Sequence, residues 1–257
     1  MQYVTVAQLR AAYSVLNDTN EFPAATLEDL IAEFETIASD YRGVHFEAVT
    51  SVETRRIPDW AGRLRLWHPQ VRSVTSLTVE GTVIAATSYE LDLAAGVITY
   101  PFASGDEAVI VYTHGYGYRA VTDGATTSTD ATVTSATAAF TATDIGLPIT
   151  GTGIPAGTRI ASINSTTSIE LTANATASGT GVTLSIVDPV LARACREYVR
   201  ASAVATRSNV ARDVISQSVE GLTTRFSTPD KAAGRPTGYL DVDRLLNSLP
   251  DRRILVA

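Results

Sequence analysis

The sequence predicts an α+β protein: helices at both ends of the chain, an antiparallel β unit after the first helices, and a small all-β domain, sandwich or barrel-like, inserted before the last ones. Three observations lead there. Apolar residues recur at three and four between Leu27 and Tyr41 and again from Leu191, the period switches to two from about Val49, and composition changes abruptly after Tyr118. The expected organisation is 1–119 and 188–257 as two parts of one domain, with 120–187 as the insert.

Thr5-Val6-Ala7-Gln8 has the spacing of a capping box, so a short helix is expected through about Tyr13. After a loop over 17–23, a second helix is expected with Thr26 as N-cap. Leu27, Leu30, Ile31, Phe34, Ile37, Ala38 and Tyr41 lie on its apolar stripe, and Gly43 ends it. β-branched runs with a period of two predict strands at 49–57, 63–67, 71–80, 89–93, 97–100 and 109–113. Glu80-Gly81 and Ala95-Gly96 mark turns between them.

Residues 120–187 are dominated by Thr, Ser, Ala and Gly, with Phe140 as their one aromatic. A linker would not carry Val133, Ile145, Leu147, Ile149, Ile154, Ile160, Ile163, Ile169, Leu171, Val182, Leu184 and Ile186, so the segment reads as folded. Short strands fit at 131–135, 148–152, 158–165, 168–172 and 182–187. Asp188-Pro189 then supplies an N-cap and a first-turn proline. Leu191, Ala194, Cys195, Tyr198 and Ser202 mark the buried side of that helix, and Arg193, Arg196 and Arg200 lie off it. A loop over 219–238 precedes a last helix at 241–249. The tail Arg252-Arg253-Ile254-Leu255 is basic and then aliphatic, a pattern suited to docking on another subunit.

Charge is unevenly placed. Residues 1–54 carry nine acids and two arginines, residues 55–119 balance at six each, residues 120–187 hold four acids and Arg159, and residues 188–257 hold eight acids against ten arginines and Lys231. Opposite polarity at the two ends can act within a subunit or between neighbours. A net charge of −7 is unlike that of a protein that grips DNA. One cysteine allows no internal disulfide and no thiolate metal cage. No apolar run approaches the roughly 18 residues of a membrane span. Met1-Gln2-Tyr3-Val4 does not open a secretory signal, and the single cysteine makes a cytoplasmic folding environment the default expectation.

Chemistry is sparse along the chain. His45, His68 and His114 are the three histidines, and none stands three or four residues from another, so no helical metal pair is expected and each reads as a turn or core residue. There is no Gly-x-Ser-x-Gly elbow and no Gly-x-x-x-x-Gly-Lys phosphate loop. Cys195, on an apolar helix face, reads as a small buried hydrophobe. Asp241 and Asp243 read as a solvated helix start. No catalytic residue, cofactor or metal is expected. Trp60 is a candidate interface anchor, while Trp67 divides evenly between burial and interface. Arg193, Arg196 and Arg200 are expected to pair with the acidic N-terminal helix in preference to facing DNA.

The order of these pieces resembles the head–tail connector (adaptor) family of tailed bacteriophages. The likeness rests on the acidic amphipathic helix, then Val71-Arg72-Ser73-Val74-Thr75-Ser76-Leu77-Thr78-Val79-Glu80-Gly81, the stretch from Tyr89 to Tyr100, Val109-Ile110-Val111-Tyr112-Thr113-His114-Gly115-Tyr116, the helix from Pro189, and Val219-Glu220-Gly221-Leu222-Thr223-Thr224-Arg225-Phe226. It covers about 190 residues outside the insert. The insert separately resembles Thr/Gly-rich β modules of phage tail and surface proteins, through Phe140-Thr141-Ala142-Thr143-Asp144-Ile145-Gly146 and Gly151-Thr152-Gly153-Ile154-Pro155-Ala156-Gly157-Thr158; most connectors lack such a module.

The resemblance implies a structural virion protein, not an enzyme, with a helical connector core. It would form a ring of about twelve copies beneath the portal protein, closed by head-to-tail contacts. Such a ring extends the channel for double-stranded DNA without binding it specifically, and offers a surface to stopper or tail-completion proteins. Its place would be the neck of the virion, after assembly in the host cytoplasm and without a membrane. The residues expected at subunit or portal contacts are Trp60, Arg193, Arg196, Arg200, Arg252, Arg253, Ile254 and Leu255. The competing reading is a tail or surface adhesion protein whose β module binds a receptor.

Overall fold

The computed structural model describes residues 3–58, 62–68, 70–93, 95–207, 216–219, 222–225 and 237–249. The chain is α+β, with all strand pairing antiparallel. It groups into two compact units, one of Met1–Arg42 with Tyr118–Pro250, the other of Gly43–Gly117. Both junctions carry a glycine with positive φ, Gly43 at 62° and Gly117 at 72°. The strand that contains Val109 and the helix from Pro189 thus fall in different units, and the Thr-rich strands group with the helices.

In the first unit, α1 (Val6–Ala12) is closed by the capping box expected of Thr5 and Gln8. α2 (Ala24–Arg42) begins two residues before the expected cap, because Pro23, and not Thr26, is the residue whose carbonyl accepts the first helical bond, from the Leu27 amide. Arg10 donates to the carbonyls of Leu16 and Phe22 and fixes the loop that leads there. α3 (Pro189–Arg207) is started by Asp188, whose carboxylate accepts from the Val190 amide at 2.8 Å. α4 (Leu240–Ser248) follows. Helix α2 packs on α3 and α3 on α4, with Phe34 against Tyr198 and Tyr198 against Tyr239. Tyr41 donates to Asn247 and Arg42 to the Leu249 carbonyl, so α2 and α4 are also tied. No helix among the described residues is long and apolar enough to cross a membrane.

The second unit supplies β1 (Val49–Arg56), β2 (Arg63–Arg65), β3 (Val71–Val79), β4 (Thr82–Ile84), β5 (Glu90–Asp92), β6 (Val97–Thr99) and β7 (Glu107–His114). They form a sheet of order β1-β7-β3-β4 and a smaller one of order β2-β6-β5. Leu64, Leu77, Ile98, Ile110 and Tyr112 share the core of this unit. Five expected strands appear, somewhat shortened, and the last begins earlier, at Glu107. Glu80-Gly81 forms the expected hairpin turn, which joins β3 to β4, a strand not itself among those expected.

The Thr-rich lobe of the first unit contains β8 (Arg119–Thr126), β9 (Thr132–Thr134), β10 (Ile160–Ser165), β11 (Ser168–Leu171) and β12 (Gly179–Ile186), in the order β10-β11-β9-β8-β12. Its first strand begins just past the compositional break and was not among the expected strands. The expected strand at 148–152 is reduced to isolated bridges from Pro148 to Arg159 and from Thr150 to Ser185, since proline gives no amide and glycine stiffens poorly. Strands β8 and β12 pair with Arg119 opposite Ile186, which brings the two ends of the lobe together. β13 (Ser216–Val219) and β14 (Leu222–Arg225) form a hairpin where a loop was expected.

Candidate functional site

The second unit gathers the three histidines that are far apart in sequence. His45 lies before β1, His68 between β2 and β3, and His114 at the end of β7. Strand pairing explains the convergence: Val49 and Val71 both lie opposite His114, so the chain segments flanking β1 and β3 meet at one strand end. Gly115 completes the approach. Its φ of +100° turns the chain under the His45 loop, its amide donates to the Gln70 carbonyl at 2.9 Å, and the next amide, of Tyr116, donates to the His45 carbonyl at 3.0 Å.

One ligand nitrogen from each ring lies within 4.8 Å of the others, the one such cluster of metal-ligating side chains found among the described residues. The His68 and His114 rings stack, 4.1 Å apart and 11° from parallel, and His45 meets His114 edge-on at 5.1 Å. His114 is 1% exposed; His45 and His68 are half-buried. A polar chain holds the outer edges. Ser51 Oγ lies 2.9 Å from His114 Nε2, and the Tyr112 hydroxyl lies 2.8 Å from His68 Nδ1. That hydroxyl donates to Glu53 Oε2 at 3.0 Å. Glu53, 1% exposed, also accepts from the Trp67 amide and from Arg55.

Burial, with the neighbouring His68 and His45, holds His114 down to about 4, and burial with His45 lowers His68. Burial and the bond to Glu53 raise Tyr112. In the unfolded chain a histidine takes its proton near 6.5, so between there and about 4 the unfolded state binds more protons than the folded one. Stability from this group is therefore complete above about pH 6.5 and falls by up to about 3 kcal/mol as pH approaches 4. Urea unfolding with chelator present, at about pH 7.5 and about pH 5, should show this loss. His114→Gln should flatten it.

Other residues marked in the sequence are placed differently. Trp67 is 64% exposed, and Arg55 stacks over its ring at 4.8 Å. Trp60 and the tail Arg252, Arg253, Ile254 and Leu255 lie outside the described residues. Arg193 and Arg200 are exposed and Arg196 half-buried. Arg200 pairs at 2.9 Å with Glu197 on its own helix and lies over the Tyr13 ring, rather than reaching α2. Cys195 is buried, which pushes its thiol up and out of the reactive range. Asp243 is not solvated as expected: it is buried and accepts from the Thr237 amide and hydroxyl, while Asp241 stays exposed.

The outer face of the larger sheet is open. Val52 lies opposite Val111, and Thr54, Val109, Thr78 and Val83 follow one another across four strands. Val52 is 65% and Val83 71% exposed. No protein-family model matches the chain, and no curated protein matches it by sequence.

Proposed function

We propose that the chain is a structural protein of a tailed-phage particle, an adaptor subunit in the ring that joins head to tail. The observation that carries this reading is the helical frame. Helix α2 packs on α3, and α3 on α4, so helices from before and after the strands share one packed core. The connector likeness itself joins β7 to α3 in order along the chain, and these two elements group in different units, so the reading is supported by the helical frame alone. The adjacent ends of β8 and β12 suit a lobe carried on that core as an insert.

The surfaces also fit a ring. Glu28, Asp29, Glu33 and Asp40 are exposed on α2, and Arg193 and Arg200 on α3. Faces of opposite sign on one subunit suit a heterologous contact repeated until it closes. Trp67 and the Val52–Val83 sheet face are further contact surfaces. A surface with few cations suits DNA that passes without being held. Against the adhesion reading, Phe140, the lobe's one aromatic, is buried in the lobe's core and offers no platform to a sugar.

Negative-stain imaging of the protein with a purified portal should show rings stacked on the portal. Arg193→Glu with Arg200→Glu should weaken assembly at least ~10-fold, and a chain carrying Glu28→Arg and Glu33→Arg should restore it on mixing. A chain that stays monomeric in the presence of the portal overturns the proposal, and reversed arginines that leave rings intact overturn the role given to α3.

A further inference from the structure

We propose that His45, His68 and His114 form a binding site for one divalent transition-metal ion of the zinc class. The site lies within the Gly43–Gly117 unit and does not depend on the ring proposed above.

The donor set decides the class of ion. Three imidazoles with no carboxylate among them suit zinc, cobalt, nickel or copper, whereas calcium and magnesium require oxygen ligands. Three histidines also leave at least one position for solvent or another ligand.

The hydrogen bonds outside the cluster fix which nitrogens face inward. The Tyr112 hydroxyl has a single proton, and Glu53 Oε2, which can only accept, takes it. Tyr112 oxygen is therefore the acceptor towards His68, so His68 carries its proton on Nδ1 and keeps the lone pair of Nε2 as its metal-binding atom. Ser51 engages His114 at Nε2, which leaves Nδ1 as the inward nitrogen. A carboxylate acting through a hydroxyl on the far nitrogen of a histidine is the outer support that orients metal ligands. An ordinary core histidine needs one satisfied hydrogen bond. It does not need two neighbours of the same kind with their inward nitrogens converging.

The spacing is that of a site before closure. Nitrogens held by one tetrahedral ion at 2.0–2.1 Å stand roughly 3.3 Å apart, against a span of up to 4.8 Å here. In-plane lone pairs must also converge, so binding tips His68 and His114 out of their parallel stack. His45 and His68 lie outside strands and are half-buried, so these two rings make the movement while His114 stays fixed at the end of β7.

The test uses untagged full-length protein freed of metal by chelator and titrated with Zn²⁺ alone, with Co²⁺ as a spectroscopic probe. The expected result is one Zn²⁺ retained per chain after gel filtration, and intense visible bands of four-coordinate cobalt that Zn²⁺ displaces. His45→Gln and His68→Gln, each checked for folding by circular dichroism, should abolish both signals. Tyr112→Phe, which keeps all three ligands, should weaken binding by about 10–100-fold. Wild-type protein that retains no zinc overturns the proposal, as does zinc binding that survives both His45→Gln and His68→Gln in folded protein.

Discussion

Gly115→Ala is expected to destabilise the Gly43–Gly117 unit by about 3–5 kcal/mol and to separate the three imidazoles. Two costs add at this position. A side chain at φ +100° is strained by about 1–3 kcal/mol wherever it occurs. In addition, a Cβ built on Gly115 would lie 2.0 Å from the Glu47 carbonyl oxygen and 2.8 Å from that of His45. Both obstacles are backbone, so the loop itself must retreat, and the bond from the Tyr116 amide to the His45 carbonyl goes with it. Gly81→Ala is the matched control. It has a φ of +75° and open space around the missing Cβ, so only the conformational cost of about 1 kcal/mol applies. Urea midpoints of the two variants, with ring-proton NMR of the histidines, test this. Equal destabilisation by both substitutions would show that the close approach at Gly115 has no energetic weight.

The contrast between these glycines marks how far the sequence could be read. Periodicity is local, and it found what is local: the stripe of α2, the capping box at Thr5, the Asp188 start of α3, and most strands of the second unit. It missed β8 because Asp123 and Gly124, residue types depleted in strands, interrupt the run. The histidine cluster was invisible for a different reason. A spacing rule seeks ligands on one helix, whereas here 23 residues separate His45 from His68 and 46 separate His68 from His114. Their meeting depends on β7 pairing with both β1 and β3. The available signal was that His68 and His114 each sit at a strand end, with His114 next to a glycine. Two strand-end histidines on paired strands are neighbours as soon as the register is known.

Asp144→Ala is expected to cost the Thr-rich lobe about 3–5 kcal/mol, and the reason also explains the Phe140–Gly146 stretch that stood out in the sequence. Asp144 is buried at the end of a single 3₁₀ turn, Ala142–Asp144, and accepts from the two terminal guanidinium nitrogens of Arg119, at 2.8 and 3.2 Å. Arg119 Nε donates to the Ala138 carbonyl, and the guanidinium lies over the Phe140 ring at 5.6 Å. The Thr141 amide donates to the same carboxylate. Strand β8 is thereby tied at its first residue to a turn 25 positions later. Truncating the carboxylate leaves a buried cation without its bidentate anion, which is why loss of one partner is far worse than loss of both. Arg119→Met combined with Asp144→Ala should therefore recover more than half of the single-variant loss, a coupling that a double-mutant cycle reads directly. Thermal melts of the four proteins suffice. If Asp144→Ala costs no more than about 1 kcal/mol, the size of an exposed pair, the buried bidentate geometry is not what holds the lobe together.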